Sequence, residues 1–147
     1  MIQSFFRLVI HFVFAVSATF LLASISHSQF VLNELASLGI NIDFATRFSS
    51  TLDDISGLLP GYGGIIFVGL LIGFSVMGLV RRFRPATSYW VYPVAGLFTI
   101  MVAHLAMHPI FNVTLIAGAR STAGIIFQGL AGLIGGYVFM QLRRPDA

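Results

Sequence analysis

Four long apolar runs restrict this chain more than anything else in it. They extend from about Phe5 to Ile25, Ile65 to Val80, Trp90 to Met107 and Ala123 to Leu142. Each approaches the roughly 20 helical residues needed to cross the hydrocarbon core of a bilayer. Composition points the same way: 57% of residues are apolar, 9% are charged, and the mean hydropathy is +0.94. A soluble domain carries about 25% charged residues, so this chain lacks the polar surface to face water on all sides. The expected fold class is therefore all-α and integral to the membrane. It is a bundle of four transmembrane helices at residues 5–27, 62–82, 88–108 and 120–142, within one domain covering 1–147. The first run has the arginine, apolar core and small residues of a secretory leader, but it is long for one, and we read it as a retained helix.

Arginine placement sets the orientation. All eight basic residues are arginine. Arg7, Arg81, Arg82, Arg84, Arg143 and Arg144 fall on one side of a four-span topology, and Arg47 and Arg120 on the other. Cytoplasmic loops concentrate arginine and lysine, so both termini are expected in the cytoplasm, and the expected location is a bacterial inner membrane. Trp90 and Tyr92 stand where an interfacial aromatic belt would. So few charges, clustered at the ends of apolar runs, do not make a nucleic-acid surface. Without cysteine, disulfides, thiolate metal sites and thiol catalysis are excluded.

The longest connection carries a pattern of its own. Asp43 is a suitable N-cap, and Phe44, Phe48, Leu52, Ile55 and Leu59 follow at helical spacing. Arg47, Asp53 and Asp54 occupy the other face. This predicts an amphipathic helix at 43–58, lying on the outer bilayer surface or capping the bundle. Gly39 should end an extension of the first helix, and Gly57 with Pro60 should break the chain before the second.

Small residues mark two further helix faces. Gly69 and Gly73 are four apart, and Gly124, Gln128, Gly132 and Gly136 form a row at the same interval. Such rows let helix backbones approach closely in lipid. They can join helices of one chain, or they can form a homo-oligomer or hold a membrane partner subunit. Gln128, near mid-membrane, requires a hydrogen-bond partner.

The remaining polar residues gather at the outer end. His27, His104 and His108 lie there with the acids, and His11 lies near the opposite end. Arg120, Ser121 and Thr122 begin the last helix, where free N–H groups and a guanidinium could hold a carboxylate or phosphate with Arg47 nearby. A structural ion pair between Arg120 and Asp43, Asp53 or Asp54 is the alternative. His104 and His108 are spaced i, i+4 and could chelate Zn or Cu, or ligate haem, with His27 or Asp53 completing the set. An interfacial hydrogen-bond network would use the same histidines, as would a pH-sensing role. The metalloprotease helix pattern is absent, because Leu105 stands where its glutamate would be.

These readings lead to two functional expectations. The first is a non-enzymatic accessory or structural subunit without a cofactor, packed in the bilayer through glycine faces and binding a lipid or small amphiphile at the outer layer. The second is a metal- or haem-binding redox subunit or enzyme using His104 and His108.

Overall fold

The computed structural model describes residues 2–111 and 121–144, with side chains over 3–106 and 121–144. Among the described residues the regular structure is all helix, without strands: α1 (Ile2–Ser37), α2 (Phe44–Leu58), α3 (Gly64–Phe83), α4 (Val91–Phe111) and α5 (Thr122–Arg143). Three helices are long and apolar enough to cross a membrane: α1, the joined α2–α3 and α5. Over its described side chains, Val91–Ala106, α4 is apolar but shorter.

Local chemistry accounts for the helix ends. Gly39 adopts φ 86°, a left-handed conformation that costs glycine little. Its N–H donates to Ala36 O at 3.0 Å, and the Ile40 N–H donates to Leu35 O at 3.4 Å. This pair of bonds closes the last turn of α1. The Asp43 carboxylate then accepts from the Thr46 N–H at 2.8 Å and caps α2.

The expected break at Pro60 does not occur. Leu59–Gly63 forms a π-helical turn instead, and Phe44 to Phe83 is one uninterrupted 40-residue helix. Proline removes one N–H and crowds the carbonyl four residues back; a wider turn accommodates both effects without ending the helix. The turn also places Tyr62 in the interior.

α1 and α2–α3 run antiparallel along their length. Ser28 meets Asp54, Phe20 flanks Gly63, and Phe12 packs edge-on against Phe67 at 5.2 Å. At 1.5 Å per residue, α1 is about 54 Å long and α5 about 33 Å. Ala23 is level with Gln128, so α5 begins near residue 29 of α1, and about 12 Å of the α1–α2 hairpin extends past it.

α5 packs between α1 and α4, where its glycines meet backbone. A Cβ at Gly132 or Gly136 would overlap the carbonyl of Gly96 or Tyr92 on α4, and one at Gly135 would overlap the Thr19 hydroxyl on α1. α3 leans on α4, with Gly69 and Gly73 both against Thr99. Towards the arginine-rich end, Phe74 stacks on Phe139 at 4.6 Å, and Phe12 and Tyr92 meet Phe139 edge-on. The Arg81 guanidinium lies 3.2 Å above the Tyr89 ring.

Candidate functional site

The most connected polar group in the interior is Gln128 on α5, which is fully buried. Its Nε2 donates to the Ala23 carbonyl of α1 at 3.0 Å. That carbonyl can only accept, so the amide oxygen must point the other way, towards Tyr62. Tyr62 Oη donates to Gln128 Oε1 at 2.7 Å and lies 2.9 Å from His104 Nε2 on α4.

These bonds assign the protons. Tyr62 has one hydroxyl hydrogen, and Gln128 accepts it. His104 Nε2 must therefore carry hydrogen and donate to a phenol lone pair. His104 Nδ1 is then a bare acceptor, and it is buried without a partner among the described residues. The donor chain Nε2–H to Oη–H to Oε1 stops at Gln128, whose amide anchors it to α1.

Four segments meet here: α1, the π turn, α4 and α5. A buried donor or acceptor stripped of its partner costs about 1–3 kcal/mol, so a shift of any one segment is opposed by the other three. His104 lies seven residues from the end of α4, about 10 Å inside it, at the level of Gln128. Spacing paired His104 with His108; the structure pairs it with Tyr62, which no expectation included. The "GYGG" segment gave a signal, a lone phenol among glycines at a helix start. Its inward direction depends on the π turn, which helical periodicity does not reveal.

The other expected site residues are dispersed. His27 is buried on α1, close enough to Asp54 to feel its charge. Asp54 accepts from the Ser28 hydroxyl at 2.7 Å, whereas Asp53 is exposed on α2. Arg47 donates to Gln29 Oε1 at 3.1 Å, tying α2 to α1. Ser121 Oγ accepts from the Gly124 N–H at 3.0 Å as the cap of α5, and Thr122 is exposed beside it. Gly124 is buried on the inner face of α5. Arg120 and the His108 side chain lie outside the described residues. Among the described residues, no three histidine, aspartate or glutamate side chains converge on a point where a metal ion could sit.

α2 holds a second unexpected feature. Arg47, Thr51 and Asp54 face α1, where Gln29 and Ser28 bind them. The first part of the apolar stripe therefore faces outwards, with Phe44 82% exposed, Phe48 59% and Leu52 51%, while Ile55 packs against the core. Leu38 and Ile40, in the turn between α1 and α2, are exposed as well. Comparison with known protein families, curated proteins and solved structures finds no match for this chain.

Proposed function

We propose that this chain is a non-enzymatic accessory subunit of a membrane assembly. In this reading it is a four-helix transmembrane bundle in a bacterial inner membrane, with both termini cytoplasmic and the α1–α2 hairpin projecting on the outer side. One observation carries the proposal: α2 satisfies its polar face against α1 and presents Phe44, Phe48 and Leu52 outwards. A contiguous apolar patch on a projecting element is the usual mark of an interaction surface. Phe44, Phe48 and Leu52 lie one turn apart and supply the large side chains that anchor a helix in a partner's groove.

The interior supports the same reading. Tyr62, Gln128 and His104 hydrogen-bond to one another and to α1, which makes the hairpin a rigid support for the stripe. The bundle needs no partner to bury its α5 glycines, since they already lie against α1 and α4 of the same chain.

Photo-crosslinking tests the proposal. A benzophenone amino acid at position 48, activated in intact membranes, should yield a discrete protein adduct, while the same group at the lipid-facing position 71 should not. An adduct of twice the chain mass would make the partner a second copy. Lipid adducts alone at both positions would overturn the subunit reading and lay the stripe in the bilayer.

A further inference from the structure

We infer that the arginine-rich end holds a binding site for one anionic phospholipid, with an acyl chain between α1 and α3 and the phosphate beside α5. Two adjoining cavities carry the inference. The first has a volume of about 390 Å³ and lies between α1 and α3, over Phe139. Its walls are almost entirely apolar, among them Leu8, Val9, Phe12, Phe67, Leu71 and Phe74. The second, of about 640 Å³, is bordered by Arg7, His11, Arg143 and Arg144. Both are of the size that small ligands occupy, roughly 300–1,000 Å³. Phe5, Leu8 and Arg143 line both, so a single molecule can reach from one into the other.

Dimensions and charge identify the occupant. From Phe5 to Val13 the apolar groove follows about 12 Å of α1, close to the ~15 Å depth of one leaflet. Its basic end coincides with the end of the helices, where lipid headgroups lie. Four of the five acids (Glu34, Asp43, Asp53 and Asp54) belong to the opposite end of the molecule, and the fifth, Asp146, is outnumbered by Arg7, Arg143 and Arg144. Arg7 makes no hydrogen bond or ion pair with the described residues. Arg144 reaches only Met140 Sδ at 3.5 Å. Arg143 donates from Nη1 to Tyr92 Oη at 3.1 Å, which steadies the guanidinium and leaves its other N–H groups available. Planar guanidinium forks match phosphate oxygens in pairs. An apolar groove ending in an excess of arginine suits an anionic headgroup on an acyl chain and disfavours a zwitterionic one, whose ammonium the same arginines repel.

Native mass spectrometry of the full chain, exchanged into equal amounts of phosphatidylglycerol and phosphatidylcholine, tests the site. One phosphatidylglycerol should be retained preferentially. Arg7→Gln with Arg144→Gln should lower that preference roughly five-fold per arginine, and Arg47→Gln, at the far end, should not. Leu71→Trp, which fills the groove with the charges intact, should weaken retention of both lipids. Equal retention by the unaltered protein would overturn the inference without any variant. So would a preference that survives the double arginine change, or displacement by oleate as readily as by phosphatidylglycerol.

Discussion

Replacing Gly132 with alanine adds one methyl group at the tightest helix crossing. The new Cβ would overlap the Gly96 carbonyl and stand 2.6 Å from Ile100 Cγ1. Comfortable carbon–carbon contact is about 3.5–4.0 Å, so α4 and α5 must separate by roughly 1 Å at this point. A gap of that size forfeits a quarter to a half of each neighbouring van der Waals well, and overpacking of this kind costs about 1–3 kcal/mol. The alanine restores about 0.5–1 kcal/mol through the glycine's lost backbone freedom, leaving a net cost of roughly 0–2.5 kcal/mol. Two controls calibrate the result. Gly64→Ala meets nothing within 4 Å and should be neutral or stabilising. Gly129→Ala meets the flexible Met101 side chain at 3.0 Å and should fall between the two. The assay is SDS-induced unfolding in bicelles, read by the single tryptophan. Trp90, immediately before α4, lies 5.9 Å from the Tyr137 ring of α5, so its emission reports this helix pair. Mass in detergent should stay constant across the series. Equal stability of the Gly132 and Gly64 variants would refute the packing argument, and a change of oligomeric mass would move this glycine face to an interface between chains.

Two further outcomes follow from the polar groups. Tyr62→Phe removes the hydrogen that Gln128 accepts and the lone pair that His104 uses. It should destabilise by about 1–2 kcal/mol, since hydrogen bonds within membranes average ~0.6 and reach ~1.7 kcal/mol. Combined with Gln128→Leu, the loss should be less than additive in the same SDS titration, because the two variants delete a shared bond. At the exposed cap of α2, the Thr46 hydroxyl and then the Thr46 N–H hold the Asp43 carboxyl below the usual carboxylate range. A depressed folded value means that the cap contributes fully above the ordinary aspartate pKa of about 4 and fails as pH falls through the folded value. The Thr46 amide resonance should therefore titrate below about pH 4 in the native chain and stay flat in Asp43→Asn.

The expected readings and the structure diverge at particular residues. Asp43 and Gly39 were legible because capping and left-handed turns are local: a short side chain or a missing Cβ acts within a few residues. The stripe from Phe44 to Leu59 was legible as a helix for the same reason. Its direction was not. Periodicity separates an apolar face from a polar one, but it does not say which face meets the neighbouring helix. Here Gln29 and Ser28 on α1 attract the polar face, and those partners lie about 20 residues away in sequence. His104 shows the same limit. Its spacing to His108 suggested a chelating pair, while its nearest polar neighbour is Tyr62, 42 residues distant and turned inwards by the π turn.

The sequence alone therefore determined helices, three of them among the described residues long and apolar enough to cross a membrane. Apolar length and scarce charge require helices that hold their own backbone hydrogen bonds in lipid, and that requirement is met residue by residue along the chain. Tertiary structure decided which polar groups meet. It carried the helix through Pro60, joined Ala23, Tyr62, His104 and Gln128, closed the α5 glycines against α4 and α1, and left the α2 stripe outside. Those outcomes depend on distances between segments far apart in sequence, where a methyl group or a single proton selects the arrangement.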